Sequence, residues 1–440
     1  MITLRERVAV IFSNIAMLDK DAQVQEGMWV GVQDDTITYV SHTAPQDIRA
    51  FGEVYDGAHR LLMPGFYNAH AHSPMTLLRG YAEGLPLDRW LNESVFPFEA
   101  KMTPEDSYWG SMLSIAEMLR YGTVSFSDMY FHTDARAKAV MDTGIKANLC
   151  DSVIAIGDGS FATNPGCIAN GKAYADYNGK ASGRLLVDFN IHAEYTSGPH
   201  VCKEIAQRAR ELDTRIHVHI SETKKEHEEC KQRHDGMTPV QYFESLGVFD
   251  VPVLAAHCVW LEDEDMDIMA RHNAYIAANP ISNMKLGSGF APLHTYLKRG
   301  INVALGTDGA ASNNNLDMMQ DMFVMSLMPK GLSGDPCALS PAQSVIAATR
   351  TGACAQGRMD CGLIECGMKA DLMVLDTSGP SWYPATDVLN NVVYAGHGHD
   401  VCLTMVDGCV LYRDGQYPTL DIERVTFEVA QRSARIISEL

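Results

Sequence analysis

Gly65-Phe66-Tyr67-Asn68-Ala69-His70-Ala71-His72 is a short apolar run that ends in two histidines one residue apart. Side chains alternate across a strand, so His70 and His72 share one face where such a strand ends and can bind one ion together. A single pair of this kind is weak evidence in a chain with 16 histidines, and two more pairs exist, His217-Val-His219 and His397-Gly-His399. The last follows Tyr394-Ala-Gly in a polar stretch and reads as a solvated loop. What gives the first pair weight is that His219 with Glu222, His257, and Asp308 in Gly306-Thr-Asp-Gly each close another apolar run further along.

Working outward, the chain repeats strand, loop and helix. Candidate strands span 65–70, 123–128, 146–153, 185–191, 215–220, 251–257, 274–279 and 301–307, and helical patterns such as 104–121 and 199–212 follow most of them. Eight such units predict an α/β fold, a (β/α)8 TIM barrel over 65–360, with its site where the strands end. Residues 1–64 carry short alternating runs (Val8-Ala-Val-Ile-Phe, Met28-Trp-Val-Gly-Val, Thr36-Ile-Thr-Tyr-Val). Residues 361–440 repeat the texture (Asp371-Leu-Met-Val-Leu, Asn391-Val-Val-Tyr, Cys402-Leu-Thr-Met-Val, Cys409-Val-Leu-Tyr). Both ends are expected to pair into one small β-sandwich domain, and 422–437 has the spacing of a terminal helix.

Composition narrows the function. With 46% hydrophobic and 20% charged residues, the 440-residue chain has the make-up of a globular enzyme. A net charge of −20 leaves no basic face for phosphate backbones, which argues against nucleic acid and anionic membranes and favours a small-molecule substrate. Eleven cysteines without a C-x-x-C suit reduced thiols, residues 8–15 are too short for a signal sequence, and no apolar run reaches membrane-spanning length. A cytoplasmic enzyme is expected. Association into a homo-oligomer is left open, since no stripe marks a contact surface.

Three neutral imidazoles and a carboxylate would hold one divalent ion. Zn2+ suits such N/O ligands best, with Fe2+ or Mn2+ as alternatives. The expected ligands are His70, His72, His219 and Asp308; His219 lies nearer its strand end than His217, which reads as a packed neighbour. A bound cation lowers the pKa of water toward neutrality. Asp308 is then expected to accept the water's proton, His257 to orient the water, and Glu222 to shuttle a proton to a heterocycle and its leaving group.

At these residues the sequence resembles the amidohydrolase superfamily, and within it the branch of 5′-methylthioadenosine/S-adenosylhomocysteine deaminases and related adenosine deaminases. The resemblance spans nearly the whole chain and is carried by Pro64-Gly-Phe-Tyr-Asn-Ala-His-Ala-His72, His219-Ile-Ser-Glu-Thr, Ala256-His-Cys, Asn279-Pro-Ile-Ser-Asn-Met-Lys-Leu-Gly and Gly306-Thr-Asp-Gly-Ala-Ala-Ser-Asn-Asn. It implies hydrolytic deamination of adenosine-type nucleosides with the ligand set above, and Glu222 and His257 as catalytic. It further assigns Glu99 to the ribose hydroxyls and His192 to the purine or ribose side of the pocket. Relatives hold the homocysteine carboxylate with arginine after the third strand, whereas this chain has none between Arg136 and Arg184, where Asn164-Pro-Gly and Cys167 stand instead. That favours adenosine, 5′-deoxyadenosine or methylthioadenosine over S-adenosylhomocysteine. Glu194 and Ala278 are further departures, expected to reshape the pocket.

Competing readings differ at named positions. The fourth strand has no lysine near His192 to bridge two metals, so one ion is expected. A guanine-type deaminase or a triazine hydrolase would share the ligand set, but a diol-binding Glu99 has no purpose on a flat triazine. His192-Ala-Glu194 matches the H-x-E of small zinc deaminases, yet Ser340 stands where their second cysteine must ligate. A non-enzymatic scaffold would have lost ligands, and here every expected position is filled.

Overall fold

The computed structural model describes residues 9–157 and 159–440; Val8 of the first expected strand lies outside them. Every expected inner strand is present and pairs in parallel with its neighbour in sequence. Phe66–Ala71, Thr123–Tyr130, Lys146–Asp151 and Leu185–Val187 form one sheet, and Phe189–Ile191, Ile216–Ile220, Val253–His257, Tyr275–Ala278 and Asn302–Leu305 a second. The expected fourth strand is thus split at Asp188. Its carbonyl accepts from Asn170 Nδ2 (2.9 Å), and its carboxylate accepts from Arg215 (2.7 Å) and Asn148 Nδ2 (2.9 Å). Asp188 N still donates to Leu149 O (3.0 Å) while Phe189 N donates to Arg215 O (2.9 Å), so the chain passes at Asp188 from pairing with the third strand to pairing with the fifth.

Parallel neighbours need a crossover, supplied by Pro104–Arg120, Thr133–Thr143, Pro165–Tyr177, Pro199–Glu211 and Asp263–Arg271, among others. Sequence dictates where these start. Thr103 and Asp106 form a reciprocal capping box before Pro104, satisfying orphan N–H groups of the first turn. Asp106 also receives Arg432 (3.1 Å) and Arg435 (2.7 Å), which docks the terminal helix Ile422–Ser438 on this crossover.

Both chain ends build a separate eight-stranded sheet. Its order is Cys409–Arg413, Val401–Val406, Leu372–Asp376, Arg60–Pro64, Val10–Leu18, Val24–Gln33 and Thr36–Ser41, with Glu53–Asp56 also beside Val10–Leu18. It is one continuous hydrogen-bonded sheet where two facing sheets were expected. Register shifts bend Val10–Leu18, and Ile37 N donates to Met368 O (2.9 Å) while Gly367 N donates to Ile37 O (2.8 Å). The far edge is thereby tied back toward the other end, so the sheet curls. A second correction concerns Asn391-Val-Val-Tyr, which ends a helix, Val388–Tyr394. Asp387 caps it by accepting from Asn390 N (3.0 Å), and Val392 and Val393 are buried four residues after Val388 and Leu389, which pack on the same core, so packing overrides their β-propensity.

A buried polar network joins the curled sheet to the parallel strands. Lys146 reaches Asp371 and Asp407 (2.7 Å to the latter), Tyr67 donates to Asp371, and Arg184 binds Asp407 (2.9 Å). Burial works against the Lys146 charge, but the two carboxylates keep its pKa above the ordinary value. Removing one partner of a buried pair strands the other, so Asp371→Ala should cost about 3–5 kcal/mol in urea unfolding; a loss below about 1 kcal/mol would contradict this role. Among the described residues, no helix is long and apolar enough to cross a membrane.

Candidate metal centre

Strand ends place the site. Ser221, His257 and Asp308 have φ of +48°, +71° and +62°, a left-handed conformation that side-chain-bearing residues adopt only when their surroundings enforce it. The chain turns sharply there, just as the strands stop. Cys258 N donates to Ile220 O (3.0 Å), and Asp308 N donates to His70 O (2.9 Å), so these turns brace one another across neighbouring strands.

His70, His72, His219 and His257 converge, and each has its Nδ1 engaged from behind. The partners are His217 Nε2 for His70 (2.9 Å), Met129 O for His72, His192 O for His219 (2.8 Å) and Asn283 Oδ1 for His257 (2.8 Å). A carbonyl can only accept, so Nδ1 of His72, His219 and His257 carries a proton and Nε2 is the ring nitrogen turned inward. Asn279 joins this arrangement. Its amide is satisfied when its nitrogen donates to Ala278 O (3.3 Å) and Gly306 O (3.2 Å), which turns its oxygen toward His257 Nδ1. His217 is therefore the packed neighbour expected, backing His70.

Asp308 closes the cluster. Its Oδ1 lies 3.5 Å from His70 Nε2 and 3.2 Å from His72 Nε2, while Oδ2 accepts from Ser282 (2.6 Å) and Ser312 (3.0 Å). Donor atoms of His70, His72 and His219 lie within 4.8 Å of one another, as do those of His70, His257 and Asp308. His70 Nε2 is buried and has no hydrogen-bond partner, an orphaned lone pair that a cation would satisfy. Burial keeps His219 well below the ordinary imidazole range and lowers His70 to about 3, so both are neutral, as ligation requires. Burial also opposes charge on His72, but the Asp308 carboxylate overrides it and raises His72 to about 9. Asp308 itself is held well below the carboxylate range, against its burial, by His70 and His72. This carboxylate draws positive charge to the centre of the cluster, and the donor set fits a divalent ion.

Glu222 sits beside this centre. Its Oε1 accepts from Ser288 Oγ (3.1 Å), its Oε2 lies 3.8 Å from His257 Nε2, and burial raises its pKa. A cavity enclosing about 640 Å3 with its mouth opens over His72, His219, His257, Glu222 and Asp308 and extends past His192 to Glu99. Its far wall is the segment from Leu87–Trp90 through a π-helical turn, Leu91–Val95, to Phe96–Glu99. Turns of that kind re-aim side chains, here Trp90, Val95 and Glu99, at the cavity. Burial pushes the Glu99 carboxyl up to about 7, opposed by the Tyr130 hydroxyl and His72. Burial likewise lowers His192 to about 4, and its Nδ1 meets Thr196 Oγ1 (3.0 Å).

Three expectations about the pocket need correction. Glu194 does not line it: the buried carboxylate is claimed by Arg233 (3.1 Å at Oε1) and His234 (2.6 Å), which also satisfies the Glu194–Cys230–His234 cluster without an ion. Ala278 is packed in the core behind Asn279. Cys167 is fully buried, and Pro165 and Gly166 face the adjoining cleft instead. Conversely, Asn283, Ser282, Ser288, Trp90 and Tyr130 went unassigned. The first two lie within Asn279-Pro-Ile-Ser-Asn, whose polar residues after a strand were a legible signal; the others announce themselves only by position.

A family model for the amidohydrolase family matches residues 61–411. The chain belongs to the amidohydrolase family. This amidohydrolase is 40% identical over 425 residues to a 5-methylthioadenosine/S-adenosylhomocysteine deaminase of Caldanaerobacter subterraneus subsp. tengcongensis, covering 96% of this chain and 97% of the relative. It is 42% identical over 405 residues to a 5′-deoxyadenosine deaminase of Methanothermobacter thermautotrophicus, with 92% and 93% covered. Among solved structures it is similar to an adenosine deaminase from Xanthomonas campestris with bound zinc. That similarity has a TM-score of 0.91 at 30% identity and covers 98% of this chain and 99% of the other.

Proposed function

We propose that this amidohydrolase is a metal-dependent deaminase that converts adenosine-type nucleosides to the inosine analogue and ammonia. One observation carries the reading: a single cavity has four inward-turned imidazoles and Asp308 at its base, Glu222 beside them, and Glu99 at its far end. The names and zinc content of the relatives support it.

His70, His72, His219 and Asp308 would hold the ion, which we take to be Zn2+, with Fe2+ or Mn2+ as alternatives. When bound, it supplies the Lewis acidity that makes water nucleophilic near neutral pH. The remaining chemistry belongs to the chain. Asp308 accepts a proton from the attacking water, and His257, whose Nδ1–H is committed to Asn283, orients that water with its Nε2 lone pair. Glu222, with its pKa raised by burial, gives a proton to the ring nitrogen as the water oxygen bonds to C6. Glu222 then takes the proton of the new C6 hydroxyl and delivers it to the amino group, so the C6–N bond breaks, C6 keeps its oxygen as a carbonyl and ammonia departs, while the proton held by Asp308 returns to Glu222. Glu99 accepts from the two ribose hydroxyls, and His192 flanks the purine. The same reading takes 65–360 as a closed (β/α)8 barrel, supported by the Asp308 N to His70 O bond, with 1–64 and 361–440 as the companion domain. Free cysteines support a cytoplasmic setting.

The 5′ substituent would extend into the cleft beyond Glu99. His132, Asp134, Asp151 and Lys172 line it, and Lys172 is paired with Asp176 (2.7 Å) and Asp134 (3.4 Å). A carboxylate tail finds no uncommitted cation among these groups and meets two acids. Ammonia release across adenosine, 5′-deoxyadenosine, methylthioadenosine, S-adenosylhomocysteine, adenine and guanine should therefore rank the first three highest in kcat/KM. If no purine reacts, the reading fails and other heterocycles come next. Glu99→Ala should raise KM for nucleosides by about 10- to 100-fold and spare any turnover of adenine. Equal losses on both would remove the ribose role.

A further inference from the structure

Glu226 is a buried acid that none of these steps uses. It lies in the first turn of the helix Lys224–Arg233, where Thr223 Oγ1 accepts from its backbone N–H (3.1 Å). Its side chain reaches back past that cap. Oε1 accepts from Ser221 N (2.9 Å) and Oε2 from Glu222 N (2.8 Å), two consecutive N–H groups held by one carboxylate. Ser221 is also the residue at φ +48°. Its carbonyl accepts from Val259 N (3.0 Å) and Trp260 N (3.1 Å), and its hydroxyl meets His227 Nδ1 (3.1 Å). The Glu222 side chain, by contrast, has a single hydrogen bond among the described residues, from Ser288. Its place is set mainly by its backbone.

We propose that Glu226 is a positioning residue for the deamination proposed above: its carboxylate clamps the Ser221–Glu222 peptide in the left-handed turn that aims Glu222 at the reacting atoms. Burial and then Glu222 raise the Glu226 pKa to about 8, opposed by the backbone N–H groups; as the ionised carboxylate it offers two acceptors and no donor toward two N–H groups, whereas glutamine offers one acceptor and misplaces a donor. Misplacing a proton-transfer group by about 1 Å costs on the order of 100-fold in rate while leaving substrate contacts elsewhere intact.

The test uses the zinc-loaded full-length protein. Glu226→Gln should lower kcat by about tenfold and Glu226→Ala by about 100-fold, with KM within about twofold and metal content equal to wild type. Glu228→Gln, on the exposed side of the same helix, should change nothing. Adding Ser221→Gly to Glu226→Ala should recover part of kcat, because glycine adopts positive φ without a clamp; a general loss of folding would show no such recovery. Wild-type kcat in both Glu226 variants, or loss of metal together with activity, overturns the proposal. Crystal structures of wild type and Glu226→Ala judge the clamp without turnover, and an unmoved Glu222 carboxylate overturns it. If wild type deaminates no nucleoside, the functional reading fails, and those structures still decide the clamp.

Discussion

Glu222→Gln should keep its full complement of metal and lose about 100- to 10,000-fold in kcat, the range a positioned proton-transfer group contributes. The substitution preserves shape and the acceptor that Ser288 uses, but the amide can neither give nor take the proton that must reach the ring and then the leaving ammonia. Glu222 is not among the groups whose donor atoms cluster for an ion, so metal content separates its role from a ligand's. A variant that loses metal, or retains more than about a tenth of wild-type kcat, would remove Glu222 from proton transfer. KM should change little, because the proposed function puts the nucleoside's binding contacts at Glu99 and His192, away from Glu222.

Asp308→Ala should instead lose metal and turnover together. Asp308 is the carboxylate set against the inward imidazole atoms, and two serine hydroxyls and Gly309 N (2.8 Å) hold it in place. Without it, three neutral imidazoles bind a divalent cation with no anion to offset the charge. The second consequence is thermodynamic. A ligand that binds only the folded state stabilises it by about 2.7 kcal/mol at 100 times its Kd. Added Zn2+ should therefore raise the unfolding temperature of the metal-stripped wild type and leave that of Asp308→Ala nearly unmoved. Equal zinc stabilisation of both proteins would take Asp308 out of the ligand set.

These outcomes differ because neighbouring acids were given different surroundings. Burial raises the pKa of Glu222 and outweighs His257 and Ser288, which pull it down; Asp308 is also buried but faces two imidazoles, so its pKa falls. Nothing in the local sequence Ser221-Glu-Thr or Thr307-Asp-Gly distinguishes the two.

What the sequence determined by itself was most of what short-range periodicity governs. The eight inner strands, the crossovers starting at Pro104 and Pro199, and the terminal helix follow from alternation, helical spacing and cap chemistry. His70, His72, His219, His257 and Asp308 followed from position, since each stands where an apolar run stops. Only the tertiary structure decided what depends on partners distant along the chain. At Asp188 a strand changes partner, from Leu149 to Arg215, and Asn148, Asn170 and Arg215 bind the carbonyl and carboxylate left at that point. Asn391–Tyr394 is helical because its valines pack that way. Glu194 leaves the pocket because Arg233 and His234 claim it, and Glu226 meets the N–H groups of Ser221 and Glu222 because its helix turn brings it back within reach of them. Spacing along one strand or helix is written in adjacent residues; which charge or N–H a buried side chain meets is a property of chain segments that touch only once the fold has formed.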